Sequence, residues 1–404
     1  MEAPVRIALV GTRGVPAAYG GFETAVEEVG RRLADSGHDV VVYCRTTPGA
    51  TEQPATHLGM RLVHLPAARK RALETLSHTA LSVGHLVTHR TDAAFVFNAA
   101  NAPLLPVIRA ARIPVATHVD GLEWKRTKWS GTGQKYYRMA ESLAVRWSDA
   151  LIADAQGIAD YYTEEFGAPT DLITYGAPVI DPPADRLAEV GLTARGYHLV
   201  VARFEPENHV AEIVEGYTAS GATQPLVVVG SAPYSDEYTA RVHGLADGRV
   251  RFLGGVWDQE LLDVLYAHAT TYLHGHSVGG TNPSLLRALG AGATVLAFDV
   301  SFNREVLGVA GRFFATAGDI PALLARAEDD PANARKRGAQ ARERAAAYDW
   351  DDVAARYADL ARRLAAREFP RRRPAGRRAT RPETTAPVPE PARGGSGTRL
   401  RPVA

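Results

Sequence analysis

A single cysteine in 404 residues, a formal charge of +1 and the lack of long apolar runs each narrow what this chain can be. Cys44 has no partner within the chain, which excludes an internal disulfide. It closes an apolar stretch, where a buried core thiol is expected rather than a nucleophile. The near-zero charge carries no global signal for nucleic acid. No stretch reaches the roughly 18 uninterrupted apolar residues of a membrane span, because His, Arg, Asp or Pro interrupts every candidate. The opening MEAPVRIALVG has neither the apolar core nor the cleavage site of a signal peptide. A cytoplasmic location is therefore expected, with any membrane contact peripheral, at the inner face.

What is present is enough apolar sequence, 46% of the residues, for two domains with full cores. Short apolar runs at Arg6–Val10, Val40–Cys44, Arg61–Leu65, Ala94–Phe97, Val115–Val119 and Ala150–Ala153 alternate with helical patterns such as Thr24–Ser36 and Gly133–Trp147. The alternation resumes at His198–Ala202, Leu226–Val229, Val250–Leu253, Thr271–Leu273 and Thr294–Ala297. This predicts an α/β chain of two Rossmann-like, doubly wound parallel-sheet domains, 1–178 and 197–348, joined by a Pro- and Gly-rich linker at 179–196. From Arg367 the text turns to Pro, Gly and Arg with hardly any large apolar residue, so 367–404 reads as a disordered basic tail. Such a tail can rest on anionic lipid at ~1 kcal/mol per charge; a merely solvated charge run is the plainer alternative.

Five stretches at presumed strand ends carry chemistry, since ligands of such sheets bind at the carboxyl ends of strands. In His274–Gly292, HGHSVGGTNPSLLRALGAG, a glycine loop with Gly279 and Gly280 opens a helix, with Pro283 in the first turn and Thr281 or Asn282 as cap. Free amides up to Ser284 and the helix dipole suit a phosphate, although the same pattern makes a plain turn. After the first strand come Gly11–Pro16, with Arg13, and then Gly20, Gly21 and Glu23; the spacing is not that of a dinucleotide fingerprint. His118, Asp120, Glu123, Trp124, Lys125 and Arg126 crowd one loop, and that many charges and tryptophans read as a binding loop. His118 also fits a core histidine. Arg203, followed by Glu205, Glu207, Asn208 and His209, is placed to hold a diphosphate or simply to pair with a neighbouring glutamate. Phe252 and Leu253, ahead of Gly254 and Gly255, offer a backbone edge to a flat base.

Together these stretches resemble the retaining GT-B glycosyltransferases of family 4, and most closely a bacterial rhamnosyltransferase-like subgroup. That subgroup opens G-T-R-G-(I/V)-P…Y-G-G-F-E, carries V-D-G-L-E-W-K-R-x-K-W and closes H-G-H-S-V-G-G-T-N-P-S-L-L; the three occur here in Gly11–Glu23, Val119–Trp129 and His274–Leu286. The resemblance implies an acceptor-binding first domain, with Glu23, Glu123, Trp124, Lys125 and Arg126 toward the acceptor. It implies a second domain that holds a nucleotide-diphosphate sugar through Asn208, His209, Phe252, Leu253, Gly279, Gly280, Thr281, Asn282, Ser284 and Arg287, with Gly20, Gly21 and Arg13 reaching over from the first. Arg203, with His118 or Asp120, would serve the reaction itself. A helix at 349–366 would brace the first domain, and neither metal nor cofactor is implied. The transferred sugar would be rhamnose from its dTDP form, moved onto a lipid-linked or polysaccharide acceptor.

Two departures stand out. Relatives carry a ribose-binding glutamate where this chain has Arg287, and a phosphate-binding lysine where it has Asn208. Guanidinium only donates hydrogen bonds, whereas a carboxylate accepts from both ribose hydroxyls. A weakly active or non-catalytic partner of a polysaccharide assembly complex is therefore a second reading, and a sugar-nucleotide epimerase a third.

Overall fold

The computed structural model describes residues 3–17, 21–46, 53–68, 71–119, 121–126, 129, 131–230 and 236–369. Gly20, Asp120 and the tail from 370 onward lie outside them. In the first half β1 (Arg6–Val10), β2 (Asp39–Arg45), β3 (Thr56–His57), β4 (Met60–Leu65), β5 (Ala93–Phe97), β6 (Val115–His118), β7 (Ala150–Ala153) and β8 (Asp171–Leu172) form one sheet, ordered β3-β4-β2-β1-β5-β6-β7-β8. In the second, β9 (His198–Val201), β10 (Leu226–Val229), β11 (Val250–Gly254), β12 (Thr271–His274), β13 (Val295–Phe298) and β14 (Arg312–Phe314) are ordered β11-β10-β9-β12-β13-β14. Pairings are parallel, apart from β3 with β4. The doubly wound α/β architecture is thus as read. Central strands such as AAFVF and LVVV are buried along their whole length, as strands covered by helices on both faces must be.

Short strands β3, β8 and β14 escape the sequence reading because two or three residues at a sheet edge carry no period. The 179–196 stretch also differs from an extended linker. It holds a 3-10 turn at Asp185–Val190, buries Ile180, Leu187 and Leu192, and pairs Arg186 with Asp258 at 2.6 Å. Cys44 is a core thiol, which burial pushes up to about 11.

Strand order positions the site. In each sheet the winding reverses beside the first strand, between β1 and β5 and between β9 and β12, and a crevice opens beyond the carboxyl ends at such a reversal. The loops after β1, β9 and β12 therefore flank the two crevices, and these loops hold the glycine and arginine motifs.

The final helix, Trp350–Ala365, crosses back onto the first half. Asp349 caps it, Asp351 pairs with Arg32 of the helix Gly21–Asp35, and Arg363 reaches Asp171 at 3.0 Å. Its apolar stripe seats Tyr357 edge-on against Phe95, with ring centroids 5.1 Å apart. No helix among the described residues is long and apolar enough to cross a membrane. Because Tyr357 is buried between the brace and the first sheet, Tyr357→Ala should remove about 3–5 kcal/mol of stability. Chemical denaturation followed by tryptophan fluorescence checks this, and an unchanged midpoint would remove the brace from the account of stability.

Candidate active site in the interdomain cleft

The helix Pro283–Gly290 begins as its sequence predicts. Asn282 Oδ1 accepts from the Ser284 amide at 2.9 Å, Pro283 takes the first turn, and the loop before it turns through Gly279 at φ 141°. Glycines then set how closely the two halves meet. A Cβ added to Gly280 would stand 2.0 Å from Asp154 Oδ1, and one on Gly121 would stand 2.1 Å from the Gly279 Cα. Thr281 Oγ1 donates to the Asp154 carbonyl at 2.7 Å, and Gly21 lies against Pro283. The amino end of the helix is thus pressed against the loops of the first sheet.

Behind this contact lies a set of histidines held by hydrogen bonds from their Nδ1 atoms. Asn208 Nδ2 donates to the Arg203 carbonyl at 2.8 Å, which leaves its Oδ1 to accept from His276 Nδ1 at 2.8 Å. His209, at φ 47°, donates from Nδ1 to the Gly275 carbonyl and stacks on Phe298 with centroids 3.8 Å apart. Burial first, then the neighbouring His274, Arg126, Arg203 and His209, hold His276 well below the usual imidazole range. Burial likewise pushes His274 down to about 3. Burial thus keeps the His274 and His276 rings neutral.

Two arginines bring positive charge to the cleft, in different settings. Arg126, from the first half, is only 14% exposed; it pairs with Glu123 at 2.7 Å and faces Glu205 and Glu207 of the second half at 3.8 and 3.9 Å. Arg203 is 45% exposed, with Glu205 a loose 3.7 Å away. That exposure decides which guanidinium can take up an incoming phosphate: Arg203 is open and Arg126 is engaged.

The comparisons agree with this geometry. Residues 20–176 match the glycosyl transferase 4-like domain, and residues 196–329 match glycosyl transferases group 1. These are the paired domains of a glycosyltransferase. A glycogen synthase of Mycobacterium tuberculosis is 26% identical over 392 residues, covering 87% of this chain and 92% of that enzyme. A phosphatidyl-myo-inositol mannosyltransferase of Mycolicibacterium smegmatis is 27% identical, with 83% and 88% covered. Among solved structures, sucrose-phosphate synthase from Thermosynechococcus elongatus superposes with a TM-score of 0.77 at 22% identity, covering 90% of this chain and all of that one. Anabaena HepE in complex with UDP-glucose gives 0.73 at 16% identity, with 88% and 99% covered. The fold is GT-B.

In the glycosyltransferase several expected site residues meet and others do not. Arg203, Asn208, His209, Gly279, Gly280, Thr281, Asn282 and Ser284 gather along the second wall, and Gly21 and Arg126 reach it from the first. His118, expected as a catalytic group, is placed at the carboxyl end of β6 and is buried. It is 1% exposed among Phe22, Phe97 and Tyr175, neither ring nitrogen has a partner, and burial pushes it down to about 3. Glu23 is spent on its own loop, where it accepts from the Arg13 amide at 3.1 Å while the Arg13 side chain stays exposed. Trp124 has one ring face covered by the Arg138 guanidinium at 5.1 Å, with Lys125 exposed beside it. Phe252 turns its ring onto His243, 4.0 Å away; β11 is the sheet edge, so the backbone there and half-buried Leu253 remain for a base. Arg287 is ion-paired with Asp263 of the helix Gln259–His268.

His276 and Asp154 are cleft residues to which the sequence reading gave no role, and Glu205 and Glu207 entered it only as partners for Arg203. Asp154 is the most telling. It follows β7 directly, is 3% exposed against Gly280 with Oδ1 unpartnered, and burial pushes it up to about 7, aided by Glu305. Its position just past a parallel strand was the available signal. The raised value means that the native state binds the proton more tightly than the unfolded chain, so this carboxyl lowers stability as pH rises from about 4 through about 7. Asp154→Asn should therefore raise the melting temperature by several degrees at about pH 8 and leave it unchanged below about pH 4. A shift that is equal at both pH values, or largest in acid, would show that Asp154 is not the buried acid described.

Proposed function

We propose that the chain is a retaining glycosyltransferase that moves a sugar, rhamnose from dTDP-rhamnose, onto a lipid-linked or polysaccharide acceptor in cell-surface polysaccharide synthesis. The observation that carries this reading is the capped helix start at Asn282–Ser284, which shares the cleft with the exposed Arg203. A departing nucleoside diphosphate gathers negative charge. Loop amides ahead of the cap, the helix dipole and the exposed Arg203 guanidinium stabilise that charge without reorganising. In the reaction the acceptor hydroxyl forms a bond to the anomeric carbon on the face where the bond to the diphosphate breaks, and its proton passes to the departing phosphate oxygen. Neutral His276, held by Asn208, contributes shape and hydrogen bonding rather than charge.

Donor class is supported by structural neighbours whose names include UDP and UDP-glucose. A lipid acceptor is supported by the mannosyltransferase relative, whose name carries a phosphatidyl lipid. The dTDP-rhamnose assignment rests on the three motifs shared with the rhamnosyltransferase-like subgroup. Arg287 favours the second reading, a poorly active partner, only as long as it stands alone. Paired with Asp263 it brings a carboxylate, an acceptor group, to the same place.

In thermal-shift measurements dTDP should raise the melting temperature more than UDP or GDP, and dTDP-rhamnose should be slowly hydrolysed or transferred to a lipid extract, as read by mass spectrometry. A flat response to every nucleotide would instead support the non-catalytic partner. Arg203→Ala should lower donor turnover roughly 100- to 1000-fold with little change in melting temperature; undiminished turnover would remove this arginine from the mechanism.

A further inference from the structure

His276 carries a hydrogen-bonding atom that its surroundings orient and leave unused. The residue is half-buried in the loop between β12 and the helix Pro283–Gly290, three positions ahead of Gly279. Its Nδ1 is bonded to Asn208 Oδ1 at 2.8 Å. Asn208 gives its amide nitrogen to the Arg203 carbonyl, which can only accept, so the atom it turns to the ring is the oxygen and Nδ1 carries the proton. Burial first, with His274, Arg126, Arg203 and His209 around the ring, keeps it neutral. A neutral imidazole with its proton on Nδ1 has a bare lone pair at Nε2. Among the described residues no hydrogen bond reaches that atom.

The direction of the lone pair is fixed from several sides. The His276 carbonyl accepts from Nδ2 of the fully buried Asn303 at 2.9 Å. The next residue, Ser277, donates its amide to the Glu207 carbonyl at 2.9 Å. On the other side Gly275 is pressed onto Asn208 so closely that an added Cβ would stand 2.0 Å from the Asn208 carbonyl oxygen. Backbone and ring are thus both tied, and the acceptor is in place before any ligand arrives. Gly279 lies beside Nε2: an added Cβ there would stand 3.1 Å from it, so a side chain at that position would crowd the lone pair and glycine leaves it open.

We propose that His276 is the residue by which the glycosyltransferase recognises the donor sugar, its Nε2 accepting a hydrogen bond from one ring hydroxyl. The assignment rests on the diphosphate reading of the adjoining helix start and adds the next part of the ligand to it. In a nucleotide-diphosphate sugar the sugar is bonded directly to the second phosphate, so its hydroxyls lie within a few bonds of the group held by Arg203 and the loop amides. Phosphate oxygens only accept hydrogen bonds and cannot satisfy a lone pair, whereas a hydroxyl can donate to it. Nε2 therefore marks the sugar and not the phosphate part of the site. A hydrogen or fluorine in place of that hydroxyl leaves the lone pair unpaired, which makes the group a selector among sugars. Asn208 acts through the ring as a positioning residue, because it keeps the proton on Nδ1.

The test measures affinities of the full chain by calorimetry for dTDP, dTDP-rhamnose, UDP and UDP-glucose, and for the 2-, 3- and 4-deoxyfluoro forms of each sugar nucleotide that binds. In the wild type at least one fluorine replacement should weaken binding about 10- to 100-fold. In His276→Phe, which keeps a ring and removes both nitrogens, the same replacement should cost less than about threefold. His276→Gln, whose amide oxygen can stand near the place of Nε2, should keep part of the penalty. A second readout needs no ring replacement: with nitrogen-15 histidine in the wild type, one lone-pair nitrogen signal should move on adding the sugar nucleotide and stay on adding the nucleoside diphosphate. Equal penalties in the wild type and His276→Phe, tolerance of all three fluorine positions, or a histidine spectrum that ignores the sugar would each overturn the proposal. Binding of dTDP or UDP without binding of either sugar nucleotide would leave the diphosphate site standing and remove the sugar assignment. Failure of both nucleotides to bind would instead take down the diphosphate reading, and this one with it.

Discussion

Everything at the candidate site depends on how closely two backbones approach. Gly280 and Gly121 occupy the points where the halves touch, and a single methyl group at either would stand about 2 Å from an atom of the other half. Only that approach lets Thr281 bond to the Asp154 carbonyl, lets Arg126 face Glu205 and Glu207, and sets Gly21 beside the start of the second-domain helix. The glycine-rich motifs thus serve two purposes. They bring loop amides and the positive end of a helix to the cleft, and they remove the side chains that would hold the walls apart.

The electrostatics follow from the same closeness. Burial keeps His274 and His276 neutral. Glu123, Glu205 and Glu207 surround Arg126 and lock it between the domains, whereas Arg203 keeps its guanidinium in the open. A cleft built this way presents the exposed Arg203 and a helix dipole to an incoming diphosphate, while Arg126 stays engaged with its glutamates. Asp154 is the exception, a buried acid with a raised affinity for its proton at the interdomain contact.

Much of this was legible in the sequence, for physical reasons. Fully apolar strand runs separated by amphipathic helices determine a doubly wound sheet, and the N-P-S cap with its preceding glycines determines the helix start. Side-chain direction was not legible. His118 and Asp154 both stand at the carboxyl ends of strands, yet one points into an aromatic nest and the other meets the opposite domain. Nothing in the one-dimensional pattern separates them, since both directions are set by what packs from elsewhere. Partners distant in sequence were equally hidden: Asp263 beside Arg287 changes the meaning of an arginine that looked like a lesion.

The central claim is that the second-domain helix start and Arg203 form the diphosphate site. A crystal structure of the full chain with dTDP tests it most directly. The expected result places the diphosphate oxygens within hydrogen-bonding distance of amides in Gly280–Ser284 and of the Arg203 guanidinium, with the base against the backbone of Phe252–Gly255. A nucleotide bound elsewhere, with this helix start and Arg203 both left free, would contradict it.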